Sequence, residues 1–241
     1  MYLELVGHSN PGLNLTEERK EDIRLFIQWI KDNSYRGAMT YKEIQEQIGS
    51  EDIDLNPSEI RMIAPFLKKA GFIDYGGRGA RVNLASIVTE DGEIFYGYLS
   101  LRNNIKKLGY SDEFLKKLDE LVNIFFMISI IKKGEFSICL KCIEFLNLYK
   151  TMDENEFSFM TTFENDYGYG TEQYKKELDK AITKYRRGEF KDKIRIVKDR
   201  NGYQYISGLL VQCCVAIDDN MTGGIKINND YWYIFEKFID K

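Results

Sequence analysis

Helix punctuation falls in close succession between Thr40 and Gly79, and it restricts the fold more than composition does. Thr40-Tyr-Lys-Glu43 is a capping box, in which the threonine hydroxyl accepts from the Glu43 amide while Glu43 reaches back to the cap. Asn56-Pro57 opens another helix, with asparagine at the cap and proline at the first helical position, where no amide hydrogen is needed. Gly71 closes that helix, and Gly76-Gly-Arg-Gly79 supplies a turn.

Apolar spacing fills in the rest. Ile23, Phe26, Ile27 and Ile30 recur at three- and four-residue steps within Glu21 to Asn33, and Ile60, Ile63, Leu67 and Ala70 do the same after Asn56. Pro65 removes one hydrogen bond inside the second of these helices and is expected to kink it. Phe72 to Leu84 reads as a hairpin: an apolar pair, a glycine-rich basic tip and a second β-prone run. Three helices with a short middle one, then a basic hairpin, is the winged-helix plan. There the third helix enters the major groove and the hairpin touches phosphate or minor groove. The exposed positions of the third helix are Ser58, Arg61, Lys68 and Lys69, and those of the wing are Arg78 and Arg81. Arg61 lies one turn in from the helix start, where side chains reach base edges.

A weak echo follows. Ile63 to Phe72 matches Ile206 to Val215 in its order of isoleucine, small residue, leucine and apolar exit, and each stretch is followed by a turn and a β-prone run, here Asp218 to Gly224 and Ile225 to Ile227. Upstream, Phe136 to Leu148 forms an apolar-faced helix, and Asp153-Glu-Asn-Glu156 is a second capping box opening a short helix. An inserted helix, Thr171 to Arg187, runs into a basic strip. Lys184, Arg186, Arg187, Lys191, Lys193, Arg195, Lys198 and Arg200 stand there against Glu189, Asp192 and Asp199. Such a strip gives salt-sensitive affinity for phosphates without reading sequence. Tyr203, Gln204 and Ser207 are the second unit's candidate DNA contacts. The expected fold is therefore mainly α with small β-hairpins (α+β): tandem winged-helix units joined by a helical segment. Residues 1–98 form the first unit, 99–133 the helical connector, and 134–241 the second unit with its basic insertion.

The 241 residues carry a formal net charge of −4, so attraction to nucleic acid must come from local clustering. Between Asn56 and Val82 five basic residues face two acids. The longest apolar run, Ile124 to Ile131, is far short of a membrane span, and the start lacks the basic and apolar segments of a signal peptide. Cys139, Cys142, Cys213 and Cys214 do not make a secreted disulfide framework, so a reduced, cytoplasmic setting is expected, with no membrane partner.

The order of parts resembles the DNA-recognition region of type IIS restriction endonucleases of the FokI and AlwI kind. The similar features are the helix ending Phe66-Leu-Lys-Lys-Ala-Gly-Phe-Ile73 with its wing, Thr89-Glu-Asp-Gly92, and Phe145-Leu-Asn-Leu148. Asp153-Glu-Asn-Glu156 and Ile182-Thr-Lys-Tyr-Arg186 complete the set. The resemblance implies tandem winged-helix subdomains that bind double-stranded DNA, with cutting done by a separate PD-(D/E)xK nuclease domain or subunit. That nuclease site needs an aspartate and a Glu/Asp-x-Lys triplet around Mg²⁺. Glu18-Arg-Lys20 and Glu189-Phe-Lys191 match the triplet by letter, but neither has a Pro-Asp partner. No catalytic residue is therefore assigned, and no cofactor is expected in this chain, Mg²⁺ entering only if a nuclease centre is present.

His8 is the one histidine, leaving little material for histidine-based catalysis or metal sites. The four cysteines read as buried thiols, an all-thiolate zinc site being the lesser alternative. Gly76-Gly-Arg-Gly79 lacks the Lys-Ser/Thr of a P-loop, and Tyr231 to Phe235 reads as a helix packed on the core. Three functions remain: sequence-specific duplex-DNA recognition within a restriction system, a winged-helix interaction scaffold, or a small Mg²⁺-dependent nuclease with a diverged site.

Overall fold

The computed structural model describes residues 2–9, 14–51, 53–77, 79–133, 137–190 and 193–239. The chain is mainly helical, with ten α-helices and three small sheets among the described residues. It divides into two compact units, one of Gly12–Ser137 with Gln212–Cys214, the other of Met1–Pro11, Ile138–Val211 and Val215–Lys241. Strand β1 (Leu3–Val6) opens the chain and belongs to the second of these.

In the first unit, α1 (Glu17–Asp32) starts at Thr16, whose hydroxyl accepts from the Arg19 amide at 3.2 Å. Its Ile23, Phe26, Ile27 and Ile30 are all buried, as their spacing predicts. Strand β2 (Ala38–Thr40) leads into α2 (Tyr41–Ser50), where both halves of the capping box form: the Glu43 amide donates to Thr40 Oγ1 at 3.2 Å and the Thr40 amide to Glu43 Oε2 at 2.7 Å. Asn56 caps α3 (Pro57–Lys69), accepting from the Ser58 amide at 2.9 Å. The helix continues through Pro65 and is followed by Gly71 at φ 78°, a backbone region that favours glycine.

The hairpin expected over 72–84 does not form. Phe72 and Ile73 sink into the core, and their backbone bonds onward instead, Asp74 N to Ile87 O at 2.7 Å and Thr89 N to Phe72 O at 3.0 Å. Strand β3 (Arg81–Asn83) is left to pair antiparallel with β2, in the register Ala38 with Asn83, Met39 with Val82 and Thr40 with Arg81. Helices α4 (Glu90–Lys107) and α5 (Asp112–Lys133) follow. The span expected as a connector, 99–133, supplies core: Phe126 of α5 stacks on Phe66 at 5.2 Å, and just before that span Phe95 of α4 stacks on Phe72 at 4.5 Å.

In the second unit, α6 (Ser137–Tyr149), strand β4 (Thr151–Met152) and α7 (Glu154–Tyr167) run in succession. The Asp153–Glu156 capping box forms, and the helix it opens extends to Tyr167 rather than staying short. Then come α8 (Glu172–Arg186), β5 (Ile194–Lys198), α9 (Gly202–Gln212), β6 (Ala216–Asp219), β7 (Gly224–Ile227) and α10 (Trp232–Phe235). β6 and β7 form the hairpin expected after α9, and β4 adds to it, giving a sheet in the order β4–β7–β6. β1 pairs in parallel with β5, Leu3 opposite Ile194, and lies on α7, where Val6 N donates to Thr162 Oγ1 at 2.9 Å. The described residues 2–9 thus join this unit and not the 1–98 unit that was expected, because β5 offers them a strand edge. No helix among the described residues is long and apolar enough to cross a membrane.

Candidate nucleic-acid interface

In the first unit, α3 buries Ile60, Ile63, Ala64 and Leu67 on one side and exposes Ser58, Arg61, Met62 and Lys69 on the other. The Ser58 hydroxyl is already used, donating to Asn56 Oδ1 at 2.8 Å as part of the cap. Arg61 is different. It is exposed in the second turn, and no hydrogen bond or ion pair holds it among the described residues. Its charge acts on Tyr41 at the start of α2, whose hydroxyl donates to Ile60 O at 2.9 Å. Burial pushes that phenol up to about 12, so it stays a neutral donor at physiological pH.

Two tyrosines that the sequence did not single out complete this surface. Tyr41 and Tyr75 stack at 5.1 Å with planes 19° apart, and Lys68 Nζ sits 4.7 Å from the Tyr75 ring centre. Lys68 also donates to Gly76 O and lies 3.9 Å from Asp74 Oδ1. Its expected role at bases or phosphates is corrected accordingly: it fastens the turn after α3. Tyr41 begins α2 and Tyr75 lies in the loop after α3, and only the fold brings the two positions together.

Arg81 is exposed at the start of β3, yet its guanidinium is engaged. Nη1 donates to Glu43 Oε1 at 2.9 Å and Nη2 to Ala38 O at 2.6 Å, so it staples β3 to β2 and α2. Glu43 and Glu46 share its cleft, together with Arg36. Arg78, the other wing candidate, lies outside the described residues.

The second unit's candidates divide sharply. Arg186 is a structural arginine: Nε donates to Glu156 Oε1 at 2.6 Å, Nη1 to Tyr149 O at 3.1 Å and Nη2 to Thr151 O at 3.1 Å. The expected phosphate contact is corrected because a buried carboxylate, two carbonyls and the Thr151 hydroxyl engage Nε and both Nη atoms. Burial raises the Glu156 carboxyl above its ordinary value, against the lowering by Arg186. Tyr203 donates to Met152 O at 2.9 Å with its ring against Phe157, and burial raises its phenol well above the usual value. Ser207 is buried on the inner face of α9. Both are corrected from DNA contacts, Ser207 to a buried position and Tyr203 to a half-buried one whose hydroxyl is taken. The chain's own start covers the beginning of α9, since His8 backbone lies where a side chain on Gly202 would go.

What stays outward is the strip on β5. Lys193, Arg195, Lys198 and Arg200 are exposed, with Lys198 3.9 Å from Asp199 and Arg200 Nε donating to Ile196 O at 2.7 Å. Gln204 and Arg187 are exposed as well, and Lys184 is half-buried. Lys191 lies outside the described residues.

Other chemistry finds little support. Cys139 and Cys142 are fully buried in α6, and burial pushes the Cys139 thiol up to about 12 and raises Cys142 well above its ordinary value, so both are neutral thiols rather than nucleophiles. Among the described residues, no three histidine, cysteine, aspartate or glutamate side chains gather in a way that would hold a metal ion. Lys20, the lysine of one nuclease-like triplet, is buried and donates to Asp119 Oδ1 at 2.6 Å. In comparisons with family models, curated proteins and solved structures, the chain has no significant match.

Proposed function

We propose that the unit of residues 14–137 is a winged-helix module that reads duplex DNA with α3 in the major groove. The chain would then serve as the recognition part or subunit of a restriction endonuclease. Supporting this is the order α1, β2, α2, α3, β3, with β2 paired to β3, which places a strand between the first two helices and returns the chain beside it after the third. The observation that carries the reading is Arg61: an arginine on the open face of α3, one turn from its start, with no acceptor of its own among the described residues. A guanidinium in that position suits the two acceptors on a guanine edge.

The second unit repeats the order helix, strand, helix, helix, hairpin as α6, β4, α7, α9 and β6–β7, with α8 and β5 inserted. Its recognition-helix position is blunted by the inward Tyr203 and Ser207. Its contribution is the β5 strip, which meets phosphates and not bases.

Fluorescence anisotropy with a randomised duplex pool, at low and physiological salt, tests this. Tight binding at low salt, followed by enrichment of particular sequences, is the expected result. No binding to any duplex at low salt would instead support the scaffold reading, which is favoured by Lys68 and Arg81 being answered within the chain. Plasmid cleavage by the chain alone with Mg²⁺ would support the nuclease reading.

A further inference from the structure

Between α6 and α8 the second unit holds a cavity of about 130 Å³, walled mainly by apolar and aromatic side chains. Phe145, Leu148 and Tyr149 come from α6, Tyr174 and Leu178 from α8, and Tyr169 from the turn between α7 and α8. Gly168 and Gly170, at φ 80° and 75°, allow that turn to bring Tyr169 back to α6, where its hydroxyl donates to Glu144. The Tyr169 and Tyr174 rings lie 5.2 Å apart, and those of Phe145 and Tyr149 4.6 Å apart. Burial raises the Tyr169 and Tyr174 phenols well above their usual value, so these walls stay neutral. A concave apolar site with a few convergent polar groups is the form that small-molecule pockets take.

Size and charge say what fits. An apolar cavity on the order of 150 Å³ holds one benzene, so this one has room for a single six-membered ring. Lys141 and Lys175 line the cavity, so a cation entering it would meet like charges. Glu144 lines it too, and an anion would sit against that carboxylate. Both lysines are answered by the protein, Lys141 by Glu164 and by the Tyr169 ring 4.8 Å away, Lys175 by Glu172 at 3.2 Å. Glu144 is answered only in part. Its Oε2 accepts from Tyr169, and among the described residues no donor reaches Oε1. A neutral ring whose own O–H or N–H reaches Oε1 satisfies that oxygen and brings no charge with it.

We propose that this cavity binds a free small molecule of that class: one neutral aromatic ring bearing a hydrogen-bond donor, with the donor on Glu144. It stands independently of the DNA-reading proposal.

Fluorine NMR titration of the full chain at neutral pH tests it, with circular dichroism to verify the folding of each variant. para-Fluorophenol is expected to bind with a Kd of about a millimolar or tighter, within the limit for so few atoms. Fluorobenzene lacks the donor and is expected to bind roughly tenfold more weakly, the loss of a hydrogen bond to a charged group. Glu144→Gln is expected to narrow that gap. Leu148→Asp, at a rim position 71 % exposed, is expected to weaken both rings several-fold without disturbing the core. No response of para-fluorophenol at several millimolar would overturn the proposal. So would equal binding of para-fluorobenzoate or para-fluorobenzylamine, a gap unchanged by Glu144→Gln, or affinities unchanged by Leu148→Asp. N-acetyltyrosinamide binding more tightly than para-fluorophenol would give the cavity to a tyrosine of a protein partner and overturn the free-ligand assignment.

Discussion

Arg102 grips both carboxylate oxygens of Asp119, Nε to Oδ1 at 2.5 Å and Nη2 to Oδ2 at 2.9 Å, while Lys20 donates to the same Oδ1 at 2.6 Å. One carboxylate therefore ties α1, α4 and α5 together. Burial alone would raise the Asp119 carboxyl, but the bonds from Arg102 and Lys20 outweigh it and hold it below 3.8. A folded-state value below the unfolded one means the unfolded chain binds the proton more tightly, so this contribution is whole above pH 3.8 and is lost as pH falls through the depressed value. Asp119→Asn should cost about 2 kcal/mol at neutral pH, because two largely buried cations are left with Glu17 as their charged partner. Urea unfolding at several pH values should show that the gap between wild type and variant narrows in acid. A gap constant with pH would contradict the ion-pair account.

Arg61→Ala should leave stability within about 0.5 kcal/mol, as for other exposed sites. It should also lower discrimination between a selected duplex and a scrambled one by about 1–3 kcal/mol. Parallel anisotropy titrations read this directly. Equal weakening on both duplexes would make Arg61 a phosphate contact and remove the base-reading role of α3.

Arg195→Ala with Lys198→Ala should act differently. If these side chains neutralise phosphates, the slope of log affinity against log salt should become shallower by about 1.8, two phosphates at roughly 0.9 each, with equal loss on every sequence. An unchanged slope would show that the β5 strip does not touch DNA.

Gly202→Ala probes the covering of α9. The added methyl would overlap the His8 backbone, so either α9 or the segment before it must shift, at a cost of about 1–3 kcal/mol. Hydrogen exchange should speed up at Leu3 to Val6 before it does elsewhere in that unit. Exchange unchanged there would mean that the segment yields freely.

The parts legible in the sequence are those encoded by neighbours. The caps at Thr40, Asn56 and Asp153 each depend on a partner two or three residues away, and each forms as read. The β2–β3 pair was not legible, because Thr40 and Arg81 meet across two helices and the local pattern around Phe72 imitates a hairpin. Nor was β5. Its basic residues stand out as a strip of charge, although Ile194 and Ile196 alternate with exposed neighbours as a strand should. Among the candidate contacts, Arg61 could be placed because α3 has a clean apolar face. Tyr203 and Ser207 could not: α9 opens Gly-Tyr-Gln-Tyr-Ile-Ser-Gly, a stretch with little periodic contrast between its two sides.

The parallel pairing of Leu3 with Ile194 has a consequence for how this chain is made and handled. During synthesis β1 is made long before β5, so the β1–β5 pair cannot close until Ile194–Lys198 has been made. A version of the chain beginning at Asn14 would not simply be shorter. It would leave β5 with no paired strand among the described residues and uncover the first turn of α9, adding to the unpaired strand edge open to another chain.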